Sequence, residues 1–121
     1  MERGRLSPLV ADGLKSAGYD TVHVILHFMT PVVLARFAFA DRWKGLSLIM
    51  VLTMVVDLDH FLANPVFDPL RCSIGFHPLH SYQAIAAYVL MLALPRLRFV
   101  ALGLLIHMGL DGLECIQMAL R

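Results

Sequence analysis

LSLIMVLTMVVDLDHFL, residues 46–62, decides how the chain is to be read. Residues 46–56 carry no charge and no helix breaker. The run then turns abruptly polar at Asp57-Leu58-Asp59-His60. A helix of this kind approaches the ~20 residues needed to cross hydrocarbon. It delivers two carboxylates and an imidazole to one membrane face.

Working outward, Asp41-Arg42-Trp43-Lys44-Gly45 is a tight polar turn with an interfacial tryptophan. Residues 22–40 precede it as a first span, with Arg36 able to snorkel towards its far end. Residues 6–18 place apolar positions at helical spacing among charges, which predicts a short interfacial helix ending near Gly18. Residues 1–20 contain no long apolar stretch of the kind a cleavable signal needs, so the first span is expected to serve as its own insertion signal. Downstream, residues 63–76 form a loop with Asn64-Pro65, Asp68-Pro69 and Gly75 as turn residues. A third span opens at His77-Pro78, with Pro78 at a first helical position, and ends near Pro95. Arg96 and Arg98 mark the next turn, and a fourth span covers 99–119. The expected fold is all-α: a four-transmembrane-helix bundle with a short N-terminal interfacial helix. The N-terminal interfacial segment is 1–20 and the four-helix transmembrane metal-binding domain is 21–121. Strand alternation is absent, which excludes a membrane barrel.

Composition agrees. Of 121 residues, 59% are hydrophobic and only 16% charged, with mean hydropathy +0.72. A soluble domain is nearer half apolar and a quarter charged. A chain this short could not hide so much apolar surface from water. The net charge of +1 gives no electrostatic case for nucleic acid.

The polar residues are not scattered. Let side A be the face where the first span begins. His23 and His27 lie early in the first span, Asp57, Asp59 and His60 late in the second, His77 and His80 at the start of the third. His107 sits within the fourth, followed towards A by Asp111 and Glu114. All six histidines belong to this set. His23/His27 and His107/Asp111 are spaced i,i+4. Asp57/His60, His77/His80 and Asp111/Glu114 are spaced i,i+3. Each pair therefore shares a helix face, while Asp59 points elsewhere. Pro31 cannot donate to the His27 carbonyl and can kink the first span beside the cluster. A carboxylate at mid-bilayer costs about 2.5–3.5 kcal/mol on insertion scales. Neutral imidazoles and carboxylates around a divalent cation offset that cost. Such donors suit zinc first, with manganese and iron as alternatives, and their number suits one or two ions. His60, His77, His80, His107, Asp57 and Asp111 read as ligands, and His27 stands even between ligand and structural group. His23 reads as an interfacial histidine. Asp59 and Glu114 read as supporting or helix-pairing groups, with either available as general base. Cys72 and Cys115 read as inert rather than ligating, and the sequence leaves open whether they pair.

The order of these motifs resembles the YdjM-like family of bacterial membrane-bound metal-dependent hydrolases, of which this chain would be a short branch. The resemblance rests on an early histidine in the first span, DLDH at 57–60, HPLHS at 77–81 and HMGLD at 107–111. It implies His27, Asp57, Asp59, His60, His77, His80, His107 and Asp111 as ligands. It implies metal-dependent hydrolysis. The leading expectation is hydrolysis of a lipid or other membrane-associated ester or phosphoester, with Asp59, Glu114 or an unliganded histidine as base and Arg71 available to attract a phosphate. The rival expectation is a non-catalytic metal-stabilised subunit, forming a homo-oligomer or part of a larger membrane complex. The side-B turns hold Arg42, Lys44, Arg96 and Arg98, with Arg36 near. That puts side B in the cytoplasm of a bacterial inner membrane and the metal site on the extracytoplasmic side.

Overall fold

The computed structural model describes residues 7–64 and 71–120, with residues 8–20 described by their backbone alone. The expected turns at Pro65 and Asp68-Pro69, and the side chains that would set an interfacial helix within 1–20, lie outside these.

Among the described residues every regular element is helical. Helix α1 is Pro8–Ala38 and α2 is Trp43–Leu52; a 3₁₀ run, Thr53–Leu62, continues α2. A single 3₁₀ turn, Pro78–His80, precedes α3 at Tyr82–Met91, and α4 is Arg98–Ala119. Three segments are long and apolar enough to cross a membrane: Thr21–Ala38, Trp43–Leu62 and Arg98–Ala119. The expected third span, 77–95, is helical only over the ten residues of α3 and its preceding turn. Ten residues rise about 15 Å, half the hydrocarbon thickness. Helix α1 runs through Gly18, where the sequence reading ended its first helix. One interior glycine costs about 1 kcal/mol against alanine, too little to break a helix by itself. It also runs through Pro31, which removes the donor that would serve the His27 carbonyl.

The 3₁₀ run decides which face of the second span meets the core. Met50, Thr53, Val56 and Asp59 are buried, every third residue in turn. At 3.6 residues per turn, Asp59 would point about 180° away from Met50. At three per turn it falls on the same face. The winding therefore turns Asp59 inward, against the α-helical expectation that it points elsewhere.

Close approach of α2 and α4 depends on Gly103. A Cβ there would lie 2.8 Å from the Met50 Cα and 2.9 Å from the Thr53 hydroxyl. Small residues at such crossings let helix backbones meet within a bilayer. Ala35, Leu46 and Met50 fill one end of the bundle with Phe39, Trp43 and Phe99. Val56, Tyr88, Leu104 and Met108 form a second apolar cluster. The distribution reverses that of a water-soluble protein. Val22, Ile25, Phe37, Leu62 and Leu90 are exposed, whereas His27, Asp59, His77, His80, His107 and Asp111 are buried.

The segment from 71 to 81 is fastened at several points. Cys72 is disulfide-bonded to Cys115 of α4, with Cα atoms 5.1 Å apart. Gly75 adopts φ +82°, the left-handed region glycine favours, and its N–H donates to the His80 carbonyl at 2.9 Å. The Tyr88 hydroxyl donates to the Leu79 carbonyl at 2.8 Å. Ser81 caps α3 by accepting from the Ala84 N–H at 3.1 Å.

Candidate metal centre

Four donor atoms from three parts of the chain meet inside the bundle. The 3₁₀ run supplies Asp57, the Pro78–His80 turn supplies His80, and α4 supplies His107 and Asp111. His80 Nε2 lies 3.0 Å from Asp111 Oδ2, 3.3 Å from Asp57 Oδ1 and 3.2 Å from His107 Nε2. His107 Nε2 lies 3.0 Å from Asp57 Oδ1 and 3.2 Å from Asp111 Oδ2. A regular tetrahedron about a zinc ion with ligands at about 2.0–2.1 Å has edges of about 3.3–3.4 Å. Five edges of this set fall at or just below that spacing.

Hydrogen bonding fixes what these atoms present. His80 Nδ1 donates to Asp59 Oδ2 at 2.9 Å, and the Leu79 N–H donates to the same oxygen at 2.9 Å. A neutral His80 with its proton on Nδ1 turns an Nε2 lone pair towards two carboxylate oxygens and a second imidazole. Acceptors facing acceptors need a proton or a cation between them, and this many converging donors suits a metal ion. Asp59 thus orients the imidazole from behind, the arrangement carboxylates commonly adopt around metal-binding histidines. Its other oxygen, Oδ1, lies 3.1 Å from His60 Nδ1. A cation on the Asp59, His60 and His80 grouping would need the Nδ1 already engaged with Asp59, so these residues read better as support for the neighbouring set.

A second set lies on the other side of Asp111. His23 Nε2 and His27 Nε2 approach Asp111 Oδ1 at 2.9 and 3.0 Å. Glu114 Oε2 stands 3.1 Å from His23 Nε2. Three buried atoms in the cluster, His27 Nε2, His107 Nδ1 and Asp111 Oδ2, make no hydrogen bond among the described residues. Buried polar atoms are ordinarily satisfied, so two such orphans aimed at the ligand sets, His27 Nε2 and Asp111 Oδ2, mark where a cation fits.

Of the residues read as ligands from sequence, Asp57, His80, His107 and Asp111 share one set and His27 joins the other. His60 lies beside Asp59, with Nε2 3.3 Å from the Ser73 hydroxyl. His77 is buried and stacks on the His60 ring at 3.9 Å between centroids, outside all three groupings. Glu114 sits at the rim, and Asp59 has both oxygens engaged. The sequence reading left out His23. Its i,i+4 spacing to His27 was the available signal, outweighed by its position at the start of the span. Ser73 carried no signal at all.

No curated protein and no solved structure matches the chain. A family profile matches residues 19–118, which take in every residue of both donor sets. The chain belongs to DUF6122, a family of unknown function.

Proposed function

We propose that this protein is an integral membrane metal-dependent hydrolase acting on a lipid or another membrane-associated ester or phosphoester. The observation that carries the reading is the near-tetrahedral set of Asp57, His80, His107 and Asp111, with His80 fully buried and Asp57 38% exposed at its side chain. The site is thereby anchored in the bundle yet open at one corner. These residues would hold a divalent cation, which would supply water of lowered pKa and polarisation of a scissile group. The residues around it do the rest. Asp59 fixes the ring of His80. Glu114, partly exposed beside His23, is placed to hold or release a proton. Arg71, on the side-A segment, carries a charge suited to a phosphoester. Zinc suits the two-nitrogen, two-oxygen donor set, with manganese and iron as alternatives.

The remaining features extend the same reading. The α3 region completes the bundle as a fourth crossing, combining its short helix with the segments on either side. Side B is cytoplasmic, because Arg36, Arg42, Lys44, Arg96 and Arg98 cluster there. The Cys72–Cys115 disulfide supports an oxidising compartment on side A, where such bonds persist. That accords with a bacterial inner membrane and an outward-facing site.

Purified in mild detergent and loaded with zinc, the protein is expected to hydrolyse a fluorogenic phospholipid or long-chain ester, and His107→Ala to abolish that activity. One observation favours a second reading. Four protein donors can close a tetrahedron completely, as structural metal sites do. A zinc-loaded protein with a raised melting temperature and no turnover across such a panel would favour a metal-stabilised subunit of a homo-oligomer or larger membrane complex.

A further inference from the structure

Asp111 faces two groups of imidazoles at once. Its Oδ1 meets His23 and His27 at 2.9 and 3.0 Å. Its Oδ2 meets His80 and His107 at 3.0 and 3.2 Å. The carboxylate is buried, and neither Oδ2 nor His27 Nε2 makes a hydrogen bond among the described residues.

The tautomer of His27 sharpens the point. Its Nδ1 lies 2.8 Å from the His23 carbonyl oxygen, which can only accept, so Nδ1 carries the proton. In the neutral ring Nε2 is then a lone pair, and it faces a carboxylate oxygen at 3.0 Å. The approach lacks hydrogen-bond geometry, so a second proton on His27 would not satisfy Nε2 through Asp111. A cation between the two atoms removes the conflict. The same conflict on the Oδ2 side has its own donors, Asp57, His80 and His107, and these do not include His23 or His27.

We propose that the protein holds two divalent cations bridged by Asp111. The inner one is enclosed by Asp57, His80, His107 and Asp111 Oδ2. The outer one is held by His23, His27 and Asp111 Oδ1. The outer set has three ligands, and the partly exposed Glu114 lies beside it, 3.1 Å from His23 Nε2. Three protein ligands with an open position is a pattern of reactive metal sites. The outer cation therefore offers a substrate oxygen a position beside the inner one, whose own opening lies at the part-exposed Asp57. This inference rests on the metal-dependent reading above.

The test is metal stoichiometry after loading with zinc and desalting, measured by elemental mass spectrometry on the full-length protein in detergent. Wild type is expected to retain two equivalents, and His27→Ala and the milder His23→Gln one each, with the same elution profile. Asp111→Asn is expected to fall below one. One equivalent in wild type that survives His27→Ala would overturn the outer site while leaving the metal reading intact. Two equivalents in both wild type and His23→Gln would overturn it as well. No zinc in folded wild type would remove the metal reading itself. His23→Gln serves as the deciding variant should His27→Ala not fold.

Discussion

The two ends of the bundle are built on opposite principles. At the end bearing Ala35, Leu46 and Met50, contact is apolar and aromatic. Phe39 meets Phe99 edge-on at 5.2 Å, and Arg36 and Arg42 lie over Trp43 and Phe99 at 5.9 and 5.7 Å. At the other end the same helices bring together imidazoles and carboxylates whose lone pairs oppose each other. Packing alone holds the first end. A cation at the second would satisfy the atoms left unpartnered there, His27 Nε2 and Asp111 Oδ2, and buried polar atoms without partners cost about 1–3 kcal/mol each. The lesson is a division of labour: the apolar end sets the helix crossings, and those crossings aim the donors.

The comparison breaks most completely at Asp111. Asp111→Ala removes the group common to both donor sets. It is expected to lose all bound zinc by elemental analysis and, in hydrogen exchange, to loosen residues 71–81 and 107–115. Protection of 35–50 is expected to persist, and collapse of both ends together would show that they are not separable. The disulfide comes next. Opening it in Cys115→Ser releases a 43-residue separation. It should lower thermal stability by about 2–4 kcal/mol and weaken zinc affinity while leaving the Phe39–Phe99 end intact.

Gly103→Val tests whether the apolar end truly sets the crossing. The added side chain meets the Met50 backbone, and overpacking of this kind costs about 1–3 kcal/mol. Shifting α4 from α2 also separates His107 from Asp57, so this variant should lose both stability and zinc. Retained stoichiometry would uncouple the ends. Asp59→Asn is subtler. Its amide cannot serve His80 as the carboxylate does, and loss of such an orienting partner typically costs about 10–100-fold in metal affinity. Competition with a chelator reads this directly, with little change in melting temperature of the metal-free protein. Smallest is Arg36→Ala, whose cation–π contact with Trp43 is worth about 0.5–1 kcal/mol at an exposed site and should leave zinc affinity untouched.

Much of this was legible in the residues. The apolar runs and their lengths predict helices, and alternation of direction predicts that the histidines converge. The i,i+4 pairs on the first and fourth spans face one another as their spacing requires. What escaped has specific causes. Asp59 was turned away by assuming 3.6 residues per turn where the chain winds at three. His23 reads as interfacial from its place at the start of a span, but that place says nothing about which face it occupies, and it meets Asp111. Cys72 and Cys115, 43 residues apart, become neighbours only once the 71–81 segment folds back on α4. The late start of α3 at Tyr82 goes with the Pro78–His80 turn that brings His80 to the site, a tertiary fact no periodicity contains. His77 is as buried as His80 but stacks on His60, because the Pro78–His80 turn brings only His80 to the donor sets.

The most direct test of the central claim is to count metal in the wild-type protein, purified without chelator, beside an Asp57→Ala/His107→Ala control. The account predicts at least one equivalent of zinc, manganese or iron per wild-type chain and its loss in the control. A folded wild-type protein that carries none, even after zinc loading, would contradict it and leave the cluster as a hydrogen-bonded core.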